Sequence, residues 1–480
     1  MKKILSGLFW KFSERILAQL VTLLVSIVLA RLLSPDDYGL IALVTVFITL
    51  ANVFVIHGFG SALVQKKDAD NIDFSSVFYA NIAFSIFLYF LLYIFAPLIS
   101  EFYNNDIICP VVRVLGLRVP IAAVNSIQQA YVSKHMIFKK SFYSALLGAI
   151  LSGIVGCSMA YMGYGIWALV GQYLTNSIVD TIVLWFTVKW RPNLVFSFKK
   201  VKSLLSYAWK LLASALLDTG YTQLRSLIIG KKYSTSDLAY YNQGQQYPQI
   251  LVVNINTAIS SVLFPVISKY QNDLTVVKKF TRRAIAISSY IMWPMMIGLC
   301  IVAEPLISII LTDKWLPCVP YLQIWCISYA FWPIHTANLE AIKAIGRSDI
   351  FLKLEIVKKI FGISLLLLTM NYGVMAIALS LIVSTIVSCF INSFPNKDLL
   401  NYGFKDQVID MLPSLLISCL MAIVVYPLKW IISNSFILLV TQVLWGIISY
   451  ILFSKLFKIN SFEYLLNILI DMFPKKNENV

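Results

Sequence analysis

The chain has 480 residues, of which 59% are hydrophobic and 13% charged, with a mean hydropathy of +0.79. Soluble domains carry about a quarter of their residues as charges, so the apolar surplus excludes an ordinary water-soluble protein and points to lipid. A formal charge of +16 would suit nucleic acid, but the basic residues fall in short connections between apolar runs, where they act as topology signals.

Crossing the hydrocarbon core takes roughly twenty apolar residues, and about fourteen segments qualify. They lie near 8–33, 37–63, 73–101, 107–133, 142–162, 165–188, 204–230, 236–267, 281–311, 318–345, 350–370, 373–394, 409–431 and 434–456. Backbone groups in lipid must be bonded within their own segment, so these runs are helices; they are too long and too evenly apolar for barrel strands. The expected fold class is an all-α polytopic membrane protein. Met1-Lys2-Lys3 opens the first run, which is overlong for a cleavable signal and has no small-residue cleavage pattern, so it is read as a retained span. With the N-terminus inside, about 27 of the 39 Lys and Arg fall in cytoplasmic loops and ends and about five outside, an asymmetry that sets orientation. An even number of spans then places both termini in the cytoplasm.

The chain repeats itself at an offset of about 208 residues, the pattern of a secondary transporter built from two related bundles. Tyr164-Gly165 with Ala168, Ile178 and Val179 recurs as Tyr372-Gly373 with Ala376, Ile386 and Val387. Pro97-Leu98-Ile99-Ser100 returns as Pro305-Leu306-Ile307-Ser308. The repeat divides the chain into a six-helix lobe at 1–195, a second at 196–396, and two extra transmembrane helices with a cytoplasmic tail at 397–480. An even number of crossings per copy relates the two lobes by an axis along the membrane normal.

Gly148, Ser152 and Gly156 have the spacing of a close helix contact. Prolines 120, 248, 265, 294 and 333 stand inside apolar runs, where proline kinks a helix. Of the seven cysteines, most sit in spans as small apolar residues. Cys109 and Cys318 fall near outer span ends, and spacing alone leaves their pairing open.

No nucleotide loop, Cys-x-x-Cys pair or histidine cluster is present, so neither catalysis nor direct ATP use is expected, and no cofactor is implied. What remains is a set of ionisable residues inside spans, which are costly in lipid and therefore functional candidates. Arg15, Arg113, Arg118 and Arg225 are expected to line a wet cavity, where the guanidinium fork suits phosphate. Pairing, snorkelling or a vestibule away from substrate is the structural alternative for each, and more so for Lys358 and Lys359. Asp218 shares a helix face with Arg225; it, Asp180 and Glu340 are candidates for H+ or Na+ coupling, against simple ion pairing. Tyr240, Asn242, Gln243 and Gln245, in a stretch too polar for lipid, are sugar-contact candidates, against bonding between helices.

Three stretches carry a family resemblance: Ala30-Arg31-Leu32-Leu33-Ser34-Pro35-Asp36-Asp37-Tyr38-Gly39, Gln128-Gln129-Ala130-Tyr131 with Phe138-Lys139, and Gly346-Arg347-Ser348-Asp349 before Leu354-Glu355-Ile356-Val357-Lys358-Lys359. In these the chain resembles the Wzx-type flippases, the polysaccharide transporter family of the multidrug/oligosaccharidyl-lipid/polysaccharide exporter superfamily. The resemblance implies a V-shaped bundle of twelve helices with two more added. It further implies flipping of undecaprenyl-diphosphate-linked oligosaccharide across the bacterial inner membrane, with 409–456 forming a groove for the lipid tail. A polysaccharide polymerase and glycosyltransferases are the expected partners, and nucleic acid is not. The rival readings are an ion-coupled small-molecule or drug antiporter of the same superfamily, expected to have a more acidic or apolar cavity, and a membrane glycosyltransferase or polymerase, which usually needs a sizeable outer loop.

Overall fold

A computed structural model describes residues 2–472 except 58 and 67, with side chains from Leu17 onward apart from a few isolated positions. Among the described residues the structure is helical with no strand. Each segment expected to span is met by a helix or by a broken pair of helices. In chain order these are α1 (Lys2–Leu32), α2 (Pro35–His57), α3 (Phe59–Gln65), α4 (Asn71–Tyr103), α5 (Ile108–Leu115), α6 (Arg118–His135), α7 (Phe138–Tyr161) and α8 (Ile166–Thr187). Then follow α9 (Phe198–Lys232), α10 (Thr235–Lys269), α11 (Leu274–Ile301), α12 (Ala303–Leu311), a 3₁₀ turn (Asp313–Cys318), α13 (Val319–Ala330) and α14 (Trp332–Ala344). The chain continues through α15 (Ser348–Thr369), α16 (Val374–Leu400), α17 (Phe404–Val425), α18 (Leu428–Ile431), α19 (Ser435–Leu456) and α20 (Asn460–Met472).

Among the described residues, nine stretches are long and apolar enough to cross a membrane by composition alone. Those outside that set include α8, α9, α13, α14 and α15. They carry Asp180, Asp218 with Arg225, Glu340, and Lys358 with Lys359. Part of the charge inside the apolar runs is thus carried by helices that composition alone would not place in lipid, while Arg113 and Arg118 stand within the apolar stretch Ile108–His135.

Helix ends are set by local chemistry. Asp70 caps α4 by accepting from the Asp73 amide at 2.8 Å, while Asp73 accepts from the Asp70 amide at 3.1 Å, a reciprocal capping box. Asp273 and Asn434 cap α11 and α19 in the simpler one-way manner. Pro120 and Pro333 stand in the first turns of α6 and α14, where a missing N–H costs nothing, whereas α10 and α11 run on through Pro248, Pro265 and Pro294. All seven cysteines are free thiols.

By packing the chain divides into two compact units, Met1–Ala239 and Tyr240–Val480. The repeat boundaries at 195/196 and 396/397 describe recurrence in sequence; the packing boundary falls later because α9 lies against α2, α3 and α4. In the first unit α7 is sandwiched between α1 and α8. A Cβ on Gly153 would fall 2.4 Å from Val25 Cγ2, and one on Gly156 would fall 2.9 Å from Gln172 Cβ. The small-residue face of α7 thus brings α8 in close and fixes the height of Asp180. Phe74, Phe78, Ile127, Val132, Leu184 and Trp190 form an apolar cluster in this unit, with Tyr131 packed against them. In the second unit α17 and α19 pack on α11 through Tyr290, Ile417, Met421, Val425 and Tyr450. Tyr450 donates to the Tyr290 carbonyl at 2.7 Å, and the Tyr290 hydroxyl donates to Ser454 Oγ at 2.8 Å.

Candidate functional site: a polar cavity among apolar spans

The first unit holds a cavity of about 660 Å³ bounded by α2, α3, α6 and α8. Helical phase selects its lining. On α6 two adjacent stripes face it, Arg118, Ala122, Asn125, Gln129 and Ser133 beside Ile121, Ser126 and Ala130, each stripe stepping by three to five positions; on α8 the residues are Asn176, Ser177, Asp180 and Thr181; α2 adds Asn52 and Ile56 one turn apart. One guanidinium, one carboxylate and several amides therefore face a shared space inside otherwise apolar helices.

Arg118 Nε donates to Ser177 Oγ at 3.1 Å, and its guanidinium carbon lies 5.1 Å from the centroid of the Tyr173 ring. Both contacts pin the arginine to α8, so the fork is held rather than left to sweep. Asn125 Nδ2 donates to Asp180 Oδ2 at 2.5 Å, tying α6 to α8 a second time. Behind this wall Asn81 Nδ2 donates to Ser126 Oγ at 2.9 Å and to the Val55 carbonyl at 3.2 Å, which fixes α4 to α6 and α2. Asn52 Oδ1, Asn125 Oδ1 and Asp180 Oδ1 are buried without a hydrogen-bond partner in the protein. Buried acceptors are ordinarily satisfied, so three on one cavity wall call for a donor: a hydroxyl, an ammonium or a cation with its water.

The other anticipated residues are placed elsewhere. Arg113 lies on α5, where its guanidinium carbon sits 4.3 Å from the centroid of Tyr93 and Nε donates to the Tyr93 carbonyl at 3.5 Å. It does not line the cavity. Arg225 on α9 is only 7% exposed and lies 5.7 Å from the Tyr221 centroid, with its Nε buried and unmatched. Asp218 is exposed. Glu340 is paired with Lys343 at 2.7 Å, and Lys358 with Glu355 at 2.5 Å. In the second unit Gln245 Nε2 donates to the Tyr329 hydroxyl at 2.8 Å, Gln243 is buried beside Tyr247, and Tyr240 stacks edge-on against Trp315. With Asn242, these stand on α10 outside the 660 Å³ cavity. The side chain of Arg15 lies outside the described residues. Asn52, Asn125, Gln129 and Asn176 are the lining residues that charge counting passes over; amides recurring at helical spacing within apolar runs are the signal that marks them.

Apolar helices enclosing a cavity with a fixed cation and a row of unmatched acceptors define a membrane transport protein, since polar groups at that depth are retained for what passes them. The chain belongs to the polysaccharide biosynthesis protein family, whose profile matches residues 28–320. It is similar to the teichuronic acid biosynthesis protein TuaB of Bacillus subtilis, at 24% identity over 73% of each chain. It is likewise similar to the lipopolysaccharide biosynthesis protein WzxC of Escherichia coli, at 22% identity over 88% of each chain. The fold is similar to that of a solved structure of the lipid II flippase MurJ, with a TM-score of 0.74 at 18% identity, covering 94% of this chain and 98% of that one. An inward-facing multidrug resistance transporter of the MATE family and MOP superfamily follows, with a TM-score of 0.62 at 14% identity, covering 80% and 94%.

Proposed function

We propose that the chain flips undecaprenyl-diphosphate-linked oligosaccharide units across the bacterial inner membrane by alternating access, supplying surface polysaccharide synthesis. The observation that carries this reading is the cavity itself: Arg118 held at one position and a wall of amides with unmatched acceptor oxygens around it. Arg118 takes the diphosphate, because guanidinium stays charged and donates two parallel hydrogen bonds to phosphate oxygens. Asn52, Asn125 and Asp180 take sugar hydroxyls. A volume of about 660 Å³ falls within the range of about 300–1,000 Å³ usual for small-molecule sites. The names of the relatives, in lipopolysaccharide and teichuronic acid biosynthesis, agree with a saccharide cargo.

The lipid tail stays in an apolar environment. An apolar groove of about 340 Å³ runs beside Tyr290, Tyr450, Ile451 and Phe462, next to the two helices added after the repeat. Asp180 is the first choice for exchanging a proton or sodium ion, with Asp218 and Glu340 behind it; Glu340 already has a cation beside it. In this reading both termini are cytoplasmic, the two repeat copies are the moving lobes, and a polymerase and glycosyltransferases work on the same substrate on either side of the membrane.

The deciding experiment replaces Arg118 in the producing cell and measures surface polysaccharide against the amount of protein inserted in the membrane. Arg118→Ala should lower export by about tenfold or more, the scale of a lost charge-assisted hydrogen bond. Arg118→Lys should recover part of it, because it keeps the charge and loses the fork. Export at the normal rate from inserted Arg118→Ala protein would overturn the assignment.

A further inference from the structure

The chain turns sharply where α19 ends. The Ile459 amide donates to the Ser454 carbonyl at 3.0 Å and the Lys458 amide to the Lys455 carbonyl at 3.3 Å, with Lys458 in the left-handed region at φ +48°. This pair of bonds is the Schellman ending, which stops a helix and redirects the chain. Phe457, Lys458 and Ile459 are thus all that separates α19 from α20. Because α19 is apolar enough to cross a membrane, α20 begins at the level where that span leaves the hydrocarbon. With 13 residues, α20 is about 20 Å long, short of the about 30 Å needed to cross again.

The sequence of α20 is two-faced. Asn460, Glu463 and Asn467 fall within about 60° of one another around the helix, while Phe462, Leu465, Leu466, Ile468 and Ile470 spread over an apolar arc of about 200° broken only by Ser461. The middle of that arc is used by the protein. Phe462, Leu465 and Leu466 line the groove of about 340 Å³ beside Tyr290 and Tyr450, and the Phe462 and Tyr290 ring centroids are 6.5 Å apart. At the edge of the polar stripe the Arg283 guanidinium carbon lies 4.4 Å from the Tyr464 centroid, a second tie to α11. The flanks of the arc are uncovered: Ile468 is 37% exposed and Ile470 59%. On α19 an exposed apolar stripe runs through Ile448, Leu452 and Leu456, one turn apart, down to Phe457 in the turn itself.

We propose that α20 is a membrane-surface helix: it lies in the plane of the bilayer where α19 ends, with Ile468 and Ile470 sunk to the boundary of headgroups and acyl chains and Glu463 and Asn467 turned to water. The occupant of the uncovered flanks is phospholipid. The three-residue turn keeps α20 at the bilayer surface, and the stripe of α19 that lipid must cover runs down to that turn. A helix polar on one side and apolar over more than half its circumference meets both solvents only at such a boundary. Held there, α20 walls one side of the groove with Phe462, Leu465 and Leu466, so its seat in the membrane sets the width of the groove's edge. The inference goes beyond the transport reading and does not depend on it.

Two measurements on the full chain test it. In the first, the native cysteines are replaced, and Glu463→Cys, Asn467→Cys, Ile468→Cys and Ile470→Cys each carry a nitroxide in nanodiscs of phosphatidylethanolamine and phosphatidylglycerol. Oxygen, which concentrates in lipid, should relax the labels at 468 and 470 several-fold more than a water-soluble nickel chelate does, and the order should reverse at 463 and 467. Four sites relaxed chiefly by the chelate would overturn the proposal, and so would labels at 468 and 470 shielded from both reagents. The second keeps the native cysteines, so it stands even where the cysteine-free chain does not fold: Ile470→benzoylphenylalanine and Asn467→benzoylphenylalanine are irradiated in cells. Position 470 should give several-fold more phospholipid adduct than position 467. Adducts to a second copy or to another protein in place of phospholipid would assign the flank to a protein partner and overturn the membrane seat. Neither measurement reads export, so the result leaves the transport reading to its own test at Arg118.

Discussion

Each unit carries a cluster of buried amides inside apolar helices, and the two clusters differ in what their amides face: one another in the second unit, a cavity in the first. In the second unit Asn338 donates to Gln407 Oε1 at 2.7 Å and to the Ile334 carbonyl at 2.9 Å, while its Oδ1 accepts from Asn396 at 2.6 Å and from Gln407 at 2.9 Å. All three amide residues are fully buried, and Asn392 adds a contact to His335 at 2.9 Å. Each of these amides donates or accepts at least one bond, so the cluster pins α17 to α14 and α16, although Asn392 Oδ1 and Asn396 Oδ1 are themselves buried without a partner; what separates this cluster from the first is that its amides bond one another across three helices and none lines the cavity. In the first unit Asn125 and Asp180 share one bond, and the wall they form leaves three acceptors unmatched around a cavity of about 660 Å³. A polar residue in a span is thus glue where its neighbours satisfy it and a site where space and unmatched groups coincide.

The sharpest way to break that contrast is to cut the glue. Asn338→Leu should destabilise the protein by about 1–3 kcal/mol, because Gln407 and Asn396 lose a buried partner. The melting temperature in detergent should fall, while export per folded molecule stays near normal. Lost export with an unchanged melting temperature would turn the second cluster into a site and erase the distinction.

Much of this architecture is legible in the sequence, and the parts that are not have identifiable causes. The spans follow from apolar run length, and Arg118 and Asp180 follow from the cost of charge in lipid; that α6 and α8 bring them to one cavity is a matter of packing, which the close-fitting face of α7 decides. Arg113 is expected in the same cavity as Arg118 because both are charges inside one apolar run, although five positions apart on a helix they diverge somewhat. The break between α5, ending at Leu115, and α6, beginning at Arg118, resets the phase and sends Arg113 to Tyr93. The polar stretch at Tyr240–Tyr247 announces burial but not its purpose, since an amide bonded to Tyr329 and one facing a sugar have the same sequence. The contact of Asp36 with Thr235 and Ser236 depends on Gly39 and Thr235 meeting, which no spacing rule foretells.

A smaller change sharpens the same comparison from the cavity side. Asp180→Asn keeps an oxygen for Asn125 and removes only the charge, so the melting temperature should move little, by about 0.5 kcal/mol or less in stability terms. Transport should change instead: in proteoliposomes, uptake driven by an imposed proton or sodium gradient should lose its dependence on that gradient. Unchanged coupling would remove Asp180 as the ion carrier and leave it as a wall of the saccharide site.

The smallest effect lies at the end of the first unit, where Asp70 caps α4 and pairs with Lys200 at 2.5 Å. The Lys200 ammonium and the Asp73 amide hold the Asp70 carboxyl down, from its ordinary 3.8 to about 2. A carboxyl whose pKa is lowered by folding stabilises the folded chain above its unfolded value and loses that contribution as pH falls through the folded one. The pair is half exposed, so solvent and salt reduce its worth to a fraction of the shift. Asp70→Asn should therefore melt slightly below the parent at neutral pH, with the gap closing as pH falls from about 4 towards about 2 and shrinking with added salt. Because an asparagine caps nearly as well as an aspartate, the gap reports the charge on Asp70; a gap that persists at the acid end, where that charge is gone, would overturn the assignment to the Lys200 pair.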